Sequence, residues 1–407
     1  MKRILYLIIS FALIGSIFSC TNSNARSQEP VEEELPKNAI RFIYDYHLYL
    51  PAVVNDSLKG NYIFDTGADA LYLDKTYFEQ SGLKSANISK VELRGIGENT
   101  QSVKLIHEST SFQSSGYNHN FDSYIVLDLR SIVGCHVDGV IGLQPFLKRP
   151  LEVNYEQSYL RTFINEAPST KGYMKLPLKI KDNRLFAQLT ICVAKGKTIK
   201  GWFLIDFGSG VYVSISNSVA KEVRIADVPK KQVQLEMIYG GVGGVSKSVR
   251  LRSDYIAFGS DTLKNVPIEY SLDTQGALGD TEYYGLIGNQ LLKQYNWIFD
   301  FEKNTFYLKP ISSDKTDFPS SKLQFVYSNR TDITPYWIVN GVYGGSNADK
   351  AGLSKGDSIS HINGKAVNTI TWEEERGRAL PDILELTVKT RNGENKTIRV
   401  DTREKVL

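Results

Sequence analysis

The chain repeats itself. Asp65-Thr66-Gly67-Ala68 closes the apolar run Tyr62-Ile63-Phe64, and Asp206-Phe207-Gly208-Ser209 closes Trp202-Phe203-Leu204-Ile205. A shift of 141 residues sets Lys59 on Lys200, Gly60 on Gly201, Asp65 on Asp206 and Gly67 on Gly208. Downstream, a shift of 146 residues sets Ile141-Gly142-Leu143-Gln144 on Ile287-Gly288-Asn289-Gln290. The same shift sets residues 151–156 on 297–302 without a gap. Order, spacing and residue type agree together, which predicts a duplicated unit differing by small loop insertions. Whatever one half folds into, the other must fold into as well, and the two aspartates become equivalent points of two related lobes.

The residue types predict that these lobes are β-rich. The chain has 23 Tyr, 32 Gly and many alternating Val, Ile and Phe segments, a β-favouring mixture. Residues 55–60 and 194–201 are polar turns between apolar runs, as in hairpins. Gly95-Ile96-Gly97 and the stretch holding Gly241-Val242-Gly243 fall between each aspartate and its downstream Ile-Gly. Each reads either as a plain turn or as the tip of a mobile flap over a cleft. Residues 165–172 and 312–322 read as linkers. The last eighty or so residues do not continue the repeat. They hold a short helix over 371–380 and strands over 384–390 and 397–400 around the Asn392-Gly393 turn. The domain plan is therefore 1–19, 20–37, 38–165, 170–311 and 320–403.

The N-terminus predicts export. Lys2 and Arg3 precede an apolar run over residues 4–18, too short for a membrane span and built like a signal peptide. Ile17-Phe18-Ser19-Cys20 resembles a bacterial lipobox, which implies lipidation of Cys20 and a membrane anchor in the cell envelope. Residues 21–37 are polar and acidic and read as a flexible tether. Cys135 and Cys192 then remain, and sequence leaves open whether they form a disulfide or stay separate thiols. The net charge of +3 includes Lys2 and Arg3. There is no basic patch of the kind that neutralises phosphates, so no nucleic-acid partner is expected. Five scattered His residues show no zinc-ligand spacing, and no metal or organic cofactor is implied.

Two carboxylates brought together share one proton, because both cannot ionise comfortably at short range. The ionised member can act as base towards water and the protonated member can donate to a peptide carbonyl. On Asp65-Thr66-Gly67-Ala68-Asp69, and on the downstream Asp138-Gly139-Val140-Ile141-Gly142 and Tyr284-Gly285-Leu286-Ile287-Gly288, the chain resembles the retropepsin-like aspartic proteases over roughly residues 40–310. Its C-terminal part, on SNADKAGLSKGDSISHINGKAV, resembles a bacterial PDZ domain. The resemblance implies two tandem β lobes forming a pepsin-like cleft, then a PDZ-like domain for peptide recruitment or regulation. It implies Asp65 and Asp206 as catalytic, with Thr66, Gly67, Ala68, Gly208 and Ser209 supporting their loops. A single chain carrying both lobes is expected to act as a monomer on protein or peptide substrates.

The second motif departs from the pattern. In the family, Thr hydroxyls brace the dyad across the lobes, and Phe207 has none. Phe207 is expected to pack between the lobes and leave a one-sided brace through Thr66. Ser209 resembles the residue that hydrogen-bonds the catalytic carboxylate, a role Ala68 cannot fill. Asp69 reads as either cleft-lining or an exposed loop charge, and Gly142 and Gly288 as packing beneath the active loops. The competing reading is a pseudoprotease that keeps the cleft and binds extended peptide without cutting it.

Overall fold

The computed structural model describes residues 4–6 and 35–407, except residues 84, 98, 116, 239–241, 280–282 and 312–317. Cys20 with its lipobox, and Gly241 of the second candidate flap, lie outside the described residues. The fold is mainly β and multi-domain. Ile4–Tyr6 lies parallel to Glu92–Arg94 at a sheet edge, a strand that cleavage before Cys20 would remove.

The two halves are built alike. His47–Val54 turns through Asn55 and Asp56, both at positive φ, and returns as Leu58–Asp65. Arg184–Ala194 returns in the same way as Lys197–Ile205. Gly139–Gly142 then lies parallel to the first returning strand, with Ile141 opposite Phe64. Gly285–Ile287 lies parallel to the second, with Ile287 opposite Ile205. These are the same pairings under the two sequence shifts.

The predicted turns are narrower than expected. Gly60 and Gly201 sit inside strands, opposite Ala52 and Leu189. A Cβ on Gly60 would lie 2.9 Å from Asp138 Cβ, and one on Gly201 would lie 2.4 Å from the Tyr284 ring. The repeated glycine therefore serves a close crossing with a neighbouring side chain rather than a turn.

A six-stranded sheet joins the halves. Its order is Met174–Pro177, Thr305–Pro310, Tyr295–Asp300, Leu151–Asn154, Tyr159–Thr162 and Ala39–Arg41. At its centre the repeated segments pair with each other antiparallel, Leu151 opposite Phe299 and Val153 opposite Trp297. Trp297 is wholly buried and stacks on Phe299 and Phe306, both at 5.6 Å. Cys135 and Cys192 are separate free thiols.

The C-terminal domain has its own core around Trp337, Leu384 and Leu386. Its helix is Trp372–Gly377, capped by a reciprocal Thr371–Glu374 box. It ends sooner than the expected 371–380. Arg378 is already extended, and Pro381 disfavours helical backbone just before it. This domain is not a trailing appendage. Gly341–Tyr343 extends the second lobe's sheet by pairing with Leu235–Met237. Its other side meets the first lobe, where Cys135 N donates to Asn329 O at 2.8 Å and Arg130 pairs with Asp332 at 3.4 Å. Truncation after Pro310 is therefore expected to open the Val233–Met237 edge and uncover apolar surface. Size-exclusion chromatography of that truncation should show self-association, with a lower melting temperature than the full chain.

Candidate active site

Each aspartate stands where a strand stops and the chain must turn tightly. In both loops the backbone N–H two residues on donates to the carboxylate. Gly67 N reaches Asp65 Oδ1 at 2.6 Å and Gly208 N reaches Asp206 Oδ1 at 2.9 Å. The two loops face each other across the lobes. A Cβ on Gly208 would fall 2.2 Å from Asp65 Cγ, so only glycine lets the second loop pass this close to the first carboxylate. Asp65 and Asp206 lie within hydrogen-bonding and Coulombic reach of one another. Both are wholly buried, and the Oδ2 atom of each has no protein hydrogen-bond partner among the described residues.

Burial favours the neutral form of both acids. It raises Asp65, against the Gly67 N–H, which favours its charge. Burial raises Asp206 as well, with the charge of Asp65 acting in the same direction. The pair therefore keeps a shared proton into a range where free carboxyls are ionised.

The brace between the loops is one-sided. Thr66 Oγ1 donates to Ile205 O at 2.6 Å and accepts from Phe207 N at 3.1 Å, so one hydroxyl holds the backbone on both sides of Asp206. Phe207 is fully buried, 5.7 Å from Phe64 of the first lobe and 6.2 Å from both Trp297 and Phe299. Its side chain fills apolar space between the lobes. The missing hydroxyl is offset by Asn289, which the sequence reading did not single out. Asn289 Nδ2 donates to Phe207 O at 2.6 Å and to Tyr46 O at 2.9 Å, and Asn289 Oδ1 accepts from Tyr155 Oη at 2.6 Å. The signal was present in the repeat, where Asn289 answers the apolar Leu143.

Two more residues escaped the motif search. His47 and Arg184 begin equivalent strands, each two residues before the residue that pairs with the position two before its lobe's aspartate. His47 is buried, and burial lowers its imidazole to about 4 against a hydrogen bond with the Gly208 backbone. The Arg184 guanidinium acts on both carboxylates in favour of their charged forms. Asp69 accepts from Tyr72 Oη at 2.8 Å. Gly142 and Gly288 do support the loops. Added Cβ atoms would lie 2.5 Å from Ala68 O and from Val211 O.

The candidate flaps are latched to the opposite lobe. Gly97 N donates to Val242 O at 3.0 Å and Asn99 N to Gly243 O at 3.1 Å. Ala277 N donates to Gly95 O at 2.9 Å, and Ile96 and Val242 are buried. Two glycine-rich backbones can approach this way only without Cβ atoms, since one on Gly97 would fall 2.3 Å from Gly243 C. These loops join the two lobes, and both carboxylates are wholly buried.

Two substitutions probe the brace. Thr66→Val leaves a buried N–H and C=O unmatched and is expected to cost about 1–3 kcal/mol of stability in urea unfolding. Phe207→Thr gives the second loop the Asp-Thr-Gly of the first yet empties apolar space, and should destabilise the fold by about 3 kcal/mol or more. The pH dependence has a definite sign. The unfolded carboxyls release protons near 3.8, whereas folded Asp65 holds its proton up to about 7. The native state thus binds more protons in that interval, and stability falls as pH rises through it. Urea unfolding from pH 4 to 7 should show a shallower fall for the Asp65→Asn, Asp206→Asn double variant than for the unsubstituted chain.

No family model matches this sequence, and no curated protein matches it. Among solved structures, the crystal structure of basic 7S globulin from soybean is similar over 70% of this chain and 100% of that chain, with 11% identity and a TM-score of 0.38.

Proposed function

We propose that the chain is an aspartic endopeptidase in which Asp65 and Asp206 activate water for peptide-bond hydrolysis. The observation that carries this reading is the meeting of two wholly buried carboxylates from equivalent loops of two lobes, with Oδ2 of each unmatched among the described residues. A structural role would favour carboxylates paired with cations or donors, because an unmatched buried carboxylate is costly. A reaction that passes a proton between two acids uses that arrangement. In this mechanism the ionised member of the pair takes a proton from water as the water attacks the carbonyl carbon. The protonated member donates to the carbonyl oxygen. The hydroxyl of Thr66 and the amide of Asn289 hold the two loops so that neither carboxylate drifts during the exchange. Water is the nucleophile, so no acyl intermediate on a side chain is formed.

A second reading rests on the loops latched between the lobes, with both carboxylates wholly buried. A peptide-binding protein that opens without cutting would hold an extended chain by strand-like pairing under the same loops. Hydrolysis of a peptide library separates the two. The enzyme reading expects cleavage that drops about 10²–10⁴-fold or more in kcat/KM for either Asp→Asn variant. It also expects a bell-shaped pH profile, rising as the pair loses its first proton and falling at higher pH as the shared proton is lost. Cleavage that survives both single Asn substitutions overturns the dyad, and binding without cleavage selects the scaffold. Membrane anchorage through a lipidated Cys20 belongs to the same proposal, and Cys20→Ala should move the protein from the membrane to the soluble fraction.

A further inference from the structure

The lobes differ beside residues 148 and 149 in a way that duplication does not require. The shift of 146 residues that matches the lobes sets Lys148 on Gln294 and Arg149 on Tyr295. In the second lobe the place is filled. Tyr295 is wholly buried, and its hydroxyl donates to Asp261 Oδ2 at 2.9 Å. Asp261 begins the outer strand of the hairpin laid against Arg184–Ala194. In the first lobe the corresponding hairpin, Thr110–Ser114 with Tyr117–Phe121, lies against His47–Val54. Here Lys148 and Arg149 are exposed, and a cavity of about 350 Å³ is lined by both and by the outer strand. That volume falls among small-ligand pockets, about 300–1,000 Å³.

The cavity gathers positive charge without an answering acid. His119 of the outer strand lines it together with Lys148 and Arg149, and none of the described residues in its wall is acidic. Neither Lys148 nor Arg149 has an ion-pair partner among the described residues. Burial and the charge of Lys148 lower the His119 imidazole, and Asp122, outside the wall, acts the other way. Asn38, Asn118 and Thr162 add amide and hydroxyl groups to the wall. Tyr117 is held in place, with its ring stacked on Phe146 at 5.0 Å and its hydroxyl donating to Pro145 O at 2.9 Å.

We infer that this cavity is a binding site for a phosphate monoester on a small hydroxylated carrier. Two adjacent cations, beside an imidazole able to gain a proton, answer a doubly charged group better than a carboxylate. Asn38, Asn118 and Thr162 suit the hydroxyls of the carrier. A lipid headgroup and a soluble ester share this chemistry. The position of Asn38 favours the headgroup, because the cavity lies beside the point where the segment from Cys20 enters the fold. The proposed lipid anchor then brings the cavity near a membrane surface. Binding of the ester itself rests neither on that anchor nor on proteolysis.

The test uses the full chain with Cys20→Ala, which carries no lipid of its own. Calorimetry with glycerol phosphate should show saturable binding, with glycerate, the carboxylate control, at least tenfold weaker. The Lys148→Gln, Arg149→Gln double variant should bind the ester at least tenfold more weakly, whereas Arg391→Gln, which removes a cation of the C-terminal domain, should bind it unchanged. Both substituted side chains of the double variant are exposed, so its melting temperature should match the parent's. Bound ester should also raise the pH at which the His119 ring titrates by NMR. No saturable binding, equal binding of ester and glycerate, or equal binding by the double variant overturns the site. Sedimentation with phosphatidylcholine vesicles, with and without phosphatidate, separates the two sources. Sedimentation that requires phosphatidate and is lost in the double variant supports a site for a membrane-borne ester. Saturable binding of glycerol phosphate without that preference supports a site for a soluble one.

Discussion

The antiparallel pairing of residues 151–153 with residues 297–299 is the constraint on which the rest depends. These are the repeated segments themselves, so a pseudo-twofold relation between the halves follows from a single strand pair. Everything attached to those strands is then placed in matching fashion on the two sides. The returning strands that end at Asp65 and Asp206 face each other, and the loops beyond them meet. Trp297 stacks on Phe299 and Phe306, so the pairing is held by burial as well as by backbone hydrogen bonds. A small shift of this sheet would part the carboxylates, because Gly208 already lies against Asp65 with no room for a Cβ.

Within this frame the site is asymmetric in a way that conserves support. The first loop brings a hydroxyl that reaches across and satisfies two backbone groups of the second. The second loop brings an aromatic ring that fills apolar space around Phe64 and Trp297. Hydrogen bonding lost at position 207 is recovered from Asn289, which binds the carbonyl of the same residue from another direction. The two halves thus divide the work of holding the dyad, one by polar contact and the other by packing. His47 and Arg184 divide in the same way, a neutral ring against a backbone on one side and a cation beside the carboxylates on the other.

Much of the fold is legible because it is local. The strand runs, the Thr371 cap and the Asn392-Gly393 turn depend on residues within a few positions of one another. The pairing of Ile141 with Phe64 and of Ile287 with Ile205 follows the repeat. The misreadings share a different cause. Gly60 and Gly201 carry turn-forming residue types, yet their purpose is clearance from Asp138 and Tyr284, far along the chain. Asn289 reads as a mismatch in a repeat, and its two acceptors lie 82 and 243 residues away. Nothing local tells that Gly341–Tyr343 of the C-terminal domain continues the second lobe's sheet.

The sequence by itself determined that there are two equivalent aspartate loops, that both lobes are β, and that one loop has a hydroxyl where the other has a ring. Periodicity, turn chemistry and repetition are properties of neighbours along the chain, so they can be read in one dimension. Only the tertiary structure decided that the second loop keeps its place without its hydroxyl and that the glycine-rich loops of the two lobes latch to each other. Each of these depends on backbone groups meeting across lobes. Every residue carries the same N–H and C=O (proline apart), so residue identities do not say which of them will meet.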